Sequence, residues 1–204
     1  MTRAFSRAEP DMRRQSLIDA TQRVLAERGV AGVSVRTICA AAGVSPGLLR
    51  HYFAGIDALI ADTYVHVAAQ ASVALAAARD AAGPDPRARL LGFVTGSLKP
   101  PISDPTLLAT WLGFWELVKS DPVVARLHGE IYAESRSDVE ALLADCGVPR
   151  AECRAGAIGI TAMVDGLWLE LGLAPQAFGS DAACAIATEW VNAWLDRQII
   201  SRDP

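Results

Sequence analysis

Residues Ser34 to Phe53 read SVRTICAAAGVSPGLLRHYF, and this stretch decides the fold. Ser34 suits an N-cap, because its hydroxyl accepts a hydrogen bond from a free N–H of the first turn; a helix is predicted over Val35 to Ala42. Ile38, Ala41 and Ala42 make an i, i+3, i+4 apolar face. Gly43 ends that helix where a left-handed backbone costs least, and Val44 fills the corner. Ser45 caps a second helix, with Pro46 at its first position, where a missing N–H is no loss. Leu49 and Phe53 are four apart and face inward, while Gly47, Arg50 and His51 share the opposite face. A short helix with a small residue, a bidentate cation and an imidazole on one solvent face suits a DNA major groove. An ordinary hairpin inside an all-helical core carries the same local signals.

Upstream, residues 1–9 hold Arg3 and Arg7 and no periodicity. They read as a loose arm, either one that enters a minor groove or a frayed terminus. Pro10 and Asp11 open a helix that runs to about Arg28, with Leu17, Ile18, Thr21, Val24 and Leu25 as its stripe, and Gly29 stops it. Downstream, AGID makes a turn. An alanine-rich helix then runs from Asp57 to about Ala82, where GPDP at Gly83 to Pro86 breaks it. Asp85-Pro86, Asp104-Pro105 and Asp121-Pro122 repeat one start signal, an Asp cap before a Pro at the first helical position. Helices follow at about 86–99, 105–119 and 122–145, the first closed by Pro100 and Pro101. After a break at Gly147 and Pro149 come helices at about 150–172 and 180–200. No strand alternation and no Gly-rich phosphate loop occurs. The fold class is all-α, about nine helices. A three-helix helix-turn-helix domain is expected over 1–55, and a larger helical domain over 56–204.

The chain has 204 residues, 51% of them hydrophobic, enough for a sizeable core. No uninterrupted apolar run of spanning length and no signal-peptide core is evident, so a cytoplasmic protein without a membrane partner is expected. Cys39, Cys146, Cys153 and Cys184 form no C-x-x-C pair; three sit inside apolar helical patterns, and they read as buried, reduced thiols. The net charge of −4 is unevenly spread. Residues 1–55 hold eight arginines against four acids, a balance of +4, which leaves −8 for the rest. A basic head joined to an acidic body orients an encounter with phosphates.

The segment from Arg14 to Leu59 resembles the TetR family of bacterial repressors. The resemblance rests on ATQRVLAERGV at Ala20 to Val30, the run Ile38 to Val44, GVSPGLLRHYF and Leu59. Within the family the chain looks most like the BetI-like group. The signs are RRQ at Arg13 to Gln15, WLGFW at Trp111 to Trp115 and GLWLE at Gly166 to Glu170. The resemblance implies a homodimeric repressor of double-stranded operator DNA, tuned by a small-molecule effector. Arg36, Ser45, Pro46, Gly47, Leu48, Arg50, His51 and Tyr52 are then the residues at the DNA. Arg50 and His51 would read bases or phosphates, Tyr52 would anchor a phosphate and Gly47 would allow close approach. Two positions depart from the family. Ile56 stands where a lysine near a phosphate is typical, and Arg50 where an aromatic residue is common. Arg50 is able to read guanine N7 and O6 instead.

All five tryptophans lie beyond residue 110. Trp111, Phe114 and Trp115 on one helix, Phe93 on the helix before, and Tyr132, Met163, Asp165 and Trp168 later supply aromatic faces and a carboxylate. Glu116 adds a second carboxylate beside Trp115. That chemistry holds a quaternary ammonium, which donates no hydrogen bond. The BetI resemblance implies choline or a related cation; the same residues as plain core, or a neutral aromatic ligand, are the alternatives. Trp190 and Trp194 are i, i+4 on the last helix, with Ile186 and Val191 beside them. Gly156, Gly159 and Gly166 lie on the helix before. In the family these two helices pair with their copies, so Ile158, Leu167, Leu171, Trp190, Val191 and Trp194 are expected at a dimer interface; Trp190 and Trp194 as internal core is the alternative. Such a dimer sets two recognition helices about 34–36 Å apart. No catalytic constellation, metal site or cofactor motif stands out. His66 and His128 read as solvent-facing or locally satisfied. The competing class is a helical small-molecule-binding protein or enzyme with a structural hairpin.

Overall fold

The computed structural model describes residues 8–200, so Arg3 and Arg7 lie outside the described residues. Nine α-helices and no strand occur among the described residues. They are α1 (Ala8–Arg28), α2 (Val35–Ala42), α3 (Pro46–Tyr52), α4 (Ile56–Ala81), α5 (Pro86–Gly96), α6 (Pro105–Ser120), α7 (Pro122–Asp145), α8 (Arg150–Leu173) and α9 (Ser180–Ile200). The helix expected to open at Pro10 begins two residues earlier, and that expected to reach residue 99 ends at Gly96. The three Asp-Pro starts are real. The Asp85 carboxylate accepts from Ala88 N–H at 2.8 Å. Asp104 accepts from Thr106 N–H and Asp121 from Val123 N–H, each at 2.8 Å.

The chain forms two compact units, one of residues up to 68 with 109–128, the other of 69–108 with 129 onward. In the first, α1, α2, α3 and the start of α4 close on one core. Leu17, Ile18, Ile38, Leu49 and Leu59 are each at most 1% exposed there. Burying a side chain of this size is worth about 1.5–3 kcal/mol. The stripe expected on α1 is buried throughout, including Thr21, whose hydroxyl donates back to the Leu17 carbonyl at 2.8 Å. The apolar face expected on α2 is rotated: Cys39 joins Ile38 inside, whereas Ala41 is exposed. The true stripe is Val35, Ile38, Cys39 and Ala42, because the inward direction of an eight-residue helix falls between the two i+3 and i+4 readings.

In the second unit small residues set the packing. A Cβ on Gly92 of α5 would stand 2.8 Å from the Ala78 carbonyl oxygen of α4, and one on Gly96 2.7 Å from Ala78 Cβ. The alanines of α4 therefore serve contact as well as helix propensity. Arg87 ties α5 to α9, donating to Asn192 Oδ1 at 2.7 Å and Asp196 Oδ1 at 2.8 Å. All four cysteines are free, and burial raises each thiol, that of Cys146 to about 11.

Candidate nucleic-acid interface

The hairpin is held by its own polar groups. Ser34 is extended, and its hydroxyl accepts from Thr37 N–H at 3.1 Å. Thr37 Oγ1 in return accepts from Ser34 N–H at 2.9 Å, a reciprocal cap with threonine where glutamate is usual. Thr37 also donates to the Gly32 carbonyl at 2.8 Å, which fixes the approach to α2. Gly43 takes φ 66°, the left-handed region, and Val44 N–H reaches back to the Cys39 carbonyl at 3.0 Å. Arg23 of α1 donates to the Ala41 carbonyl at 3.1 Å, completing the end of α2. Ser45 Oγ accepts from Leu48 N–H at 3.3 Å and starts α3.

What α3 leaves outside is a small basic face. Ser45, Pro46, Gly47, Arg50 and His51 are exposed, as is Arg36 on α2; Leu48 and Tyr52 are half-buried. Tyr52 meets the His51 ring edge-on at 5.0 Å between centroids. Arg36 and Arg50 have no ion pair among the described residues. A Cβ on Gly47 would meet only Ser45 Oγ, at 3.7 Å, so nothing inside the chain demands glycine there.

The aromatic candidates fall into separate groups. In the first unit Trp111 and Phe114 of α6 gather on Tyr64 of α4, at 5.3 and 4.7 Å between centroids. Tyr64 is wholly buried and its hydroxyl lies 2.9 Å from His128 Nδ1, a pairing that the expectation of a locally satisfied histidine missed. Its signal was present: Leu59, Ile60, Thr63, Tyr64 and Val67 make a helical stripe, and a buried tyrosine needs a hydroxyl partner. Phe114 is 0% exposed and is core. Trp115 is half-buried, and Glu116 is exposed, as its plain reading required.

In the second unit Tyr132 of α7 donates its hydroxyl to Asp165 of α8. Burial pushes the Asp165 carboxyl up to about 6, against the lowering effects of the Tyr132 bond and of Arg136. The Arg136 guanidinium lies 6.0 Å from the Tyr132 ring centroid, a residue the sequence reading missed. Trp168 is buried and donates its ring N–H to the Ile102 carbonyl at 3.2 Å. Phe93 is buried on α5 and Met163 is half-buried on α8.

On α8 and α9 the expected interface residues divide. Ile158 is 49% exposed and Trp190 37%, with Ile186 at 49% beside them. Val191 is 0% exposed and Leu171 8%, so these two belong to the core of their own unit rather than to an interface. Trp194 is half-buried, with its ring against α8: a Cβ on Gly156 would stand 2.4 Å from it. Leu167 is half-buried.

Comparison with known proteins decides the identity of this arrangement. Residues 17–63 match the family model of bacterial regulatory proteins, tetR family, and residues 86–196 that of the BetI-type transcriptional repressor, C-terminal. The chain belongs to the BetI-type group of the TetR family. The HTH-type transcriptional regulator BetI of Paraburkholderia phytofirmans is 33% identical over 91% of this chain and 94% of its own. A transcriptional regulator of Pseudomonas aeruginosa PAO1 has a similar structure, TM-score 0.84 and 38% identity, over 95% of each chain. A transcriptional regulator from Saccharomonospora viridis, solved in complex with choline, shares the fold at TM-score 0.78 and 18% identity, over 89% of this chain and 96% of its own.

This TetR-family chain is thus a transcriptional regulator with a DNA-binding helix-turn-helix, from a family of regulators rather than enzymes. Ile56, which departs from the family's lysine, is half-buried and packs against the core of the first unit. Two helices of the regulator, α4 and α8, are long and apolar enough by length and composition to cross a membrane. In α4 the side chains responsible include Leu59 and Val67, each 0% exposed in the folded unit.

Proposed function

We propose that the chain is a cytoplasmic, homodimeric repressor whose grip on operator DNA is tuned by a small organic cation, choline or a related quaternary ammonium. The observation that carries the cation is Asp165. A half-buried carboxylate bonded by Tyr132 gains by ionising against a fixed positive charge, and the Tyr132 ring offers the quadrupole that an ammonium without N–H groups requires. The choline complex of the Saccharomonospora viridis regulator supports this choice. The DNA contacts are assigned to Arg36, Ser45, Gly47, Arg50, His51 and Tyr52, in a DNA-binding domain of 1–55, with 56–204 for effector and dimer. Ile158 and Trp190 supply the exposed apolar face that a second copy covers. An effector shifts DNA affinity by no more than its differential affinity for two states.

One observation favours a second reading, an uncharged ligand. Arg136 already lies near the face of Tyr132, where a ligand cation would go, and a neutral molecule need not displace it. Fluorescence anisotropy with labelled DNA from beside the gene, over a salt series, with choline or with its neutral carbon isostere 3,3-dimethylbutanol, separates the two. Tight, salt-sensitive binding altered by choline alone supports the cation. An equal response to both compounds transfers the site to neutral ligands. Binding no tighter than to random DNA sinks the operator reading for that fragment, and selection from a random library then decides it.

A further inference from the structure

Arg14, Gln15 and Asp19 form a polar strip on α1 that faces Asp62 and His66 of α4. The Arg14 guanidinium carbon lies 5.1 Å from the centroid of the Phe53 ring, and the same group pairs with Asp62. Phe53 is the residue that ends α3: its N–H closes the last turn onto the Leu49 carbonyl at 2.9 Å, and its ring is 4% exposed. One residue further along α1, the Gln15 side-chain nitrogen donates to Asp19 Oδ1 at 2.7 Å and stands 2.9 Å from His66 Nε2. A carboxylate only accepts, so Asp19 decides which end of the amide faces it. That nitrogen then needs an acceptor at Nε2, which puts the proton of a neutral His66 on Nδ1. The two pairs are in step, adjacent residues on α1 against residues one turn apart on α4.

We propose that Arg14 is a positioning residue for DNA recognition: it braces the C-terminal end of α3, through Phe53, against α1 and the start of α4, with Gln15–His66 as the second point of the same brace. The recognition helix is seven residues long, too short to keep its direction without tertiary support. Leu49 and Phe53 are its buried anchors, and Arg14 is the polar group that grips the second of them. A planar guanidinium suits the task because it stacks on a ring and pairs with a carboxylate at once. The pairing also neutralises Arg14, so a phosphate contact from it would require breaking the Asp62 pair.

The test uses the full-length protein and the variants Arg14→Ala, Arg14→Lys, Asp62→Asn and Phe53→Leu, measuring operator and random-DNA affinity over a salt series together with Tm. Arg14→Ala and Asp62→Asn are each expected to weaken operator binding about three- to tenfold, the scale of an exposed cation–ring contact plus an exposed ion pair. The salt slope should stay unchanged, and the ratio of operator to random-DNA affinity should fall. Asp62→Asn is the discriminating variant, since removal of an acid near DNA otherwise tightens binding. Arg14→Lys keeps the pair without the planar stack and should recover part of the loss. Phe53→Leu keeps apolar volume without the ring and should behave as Arg14→Ala does. Tighter or unchanged operator binding by Asp62→Asn overturns the proposal. So does a drop of about one in the salt slope for Arg14→Ala, which marks a phosphate contact. A lower Tm with affinity and specificity intact also overturns it. In the wild type, ¹⁵N shifts of His66 should report the Nδ1–H tautomer; the other tautomer removes the second point of the brace.

Discussion

The two units of this regulator put their functional groups in place by different means. In the first unit the face meant for DNA is built within twenty residues of sequence. Ser34 and Thr37 cap α2, Gly43 turns the chain, Ser45 starts α3, and Arg50 and His51 are left outside. In the second unit nothing so local decides the outcome. Whether a residue of α8 or α9 is core, surface or ligand contact depends on which neighbour the fold brings to it from a distant helix. Val191 and Trp190 are adjacent in sequence and of similar apolar character, yet one is 0% and the other 37% exposed. Substitutions in the first unit should therefore act on recognition with the fold intact, and substitutions in the second on assembly, packing and ligand response.

The largest effect expected tests the exposed face of α8 and α9. The double change Ile158→Glu with Trp190→Glu places charge where a second copy is proposed to sit, while each side chain already reaches solvent in the single chain. Sedimentation velocity should then show a monomer with near-normal helix content. Operator affinity should fall by about 10²–10⁴, the gain that joining two binding modules supplies. A dimer that survives both changes removes the assembly role from this face and erases that half of the contrast.

Two glycines sharpen the contrast between local and distant determinants. Gly156→Ala drives a Cβ to 2.4 Å from the Trp194 ring and 2.9 Å from Leu143, so side chains of two other helices must move. A loss of about 1–3 kcal/mol in urea unfolding is expected, as for other overpacked cores. Gly43→Ala meets no atom within 4 Å, and its cost arises only from φ 66°, about 1 kcal/mol. Equal losses for the two would show that close approach of α8 and α9 is softer than the contacts imply. Arg50→Ala should change Tm little, because the side chain is exposed and unpaired among the described residues. It should cost about 1–3 kcal/mol of discrimination at one base position across an operator panel. An unchanged preference removes the base-reading role from Arg50.

The helix-turn-helix and the element boundaries were readable because caps, left-handed glycines and Asp-Pro starts are short-range signals. The Asp85, Asp104 and Asp121 starts fell where the spacing placed them. The error on α2, where Ala41 was placed on the inward face, arose because eight residues give periodicity too few repeats to fix the inward direction. Arg23, Tyr64 and His128 were missed for another reason. Each does its work through a partner on another helix, the Ala41 carbonyl in one case and the Tyr64–His128 pair in the other. A single sequence holds no record of which distant helices meet. The ligand candidates suffered most from this, since an aromatic residue at helical spacing looks the same whether it lines a site or, like Phe114, fills a core.

Asp165 is a half-buried carboxyl with a strongly raised pKa, and it gives the second unit a pH dependence of definite sign. Its carboxyl is raised from 3.8 to about 6, chiefly by burial. Ionising it in the folded state is therefore uphill, and stability present below the unfolded value is lost as pH rises towards about 6. Asparagine keeps an oxygen to accept from the Tyr132 hydroxyl but never ionises. Asp165→Asn should thus leave the unfolding free energy nearly unchanged at acid pH and raise it at neutral pH, by an amount on the order of 1–2 kcal/mol after allowance for partial solvent access. Choline carries its charge at every pH and would favour the ionised carboxylate, so its affinity for the wild type should rise through the same interval. Tyr132 and Arg136 are the groups that face Asp165 and share in this response. In Asp165→Asn the pH dependence and most of the choline affinity should vanish together. Loss of the pH-dependent stability without loss of choline binding would keep the buried carboxylate as a feature of the fold and move the cation elsewhere.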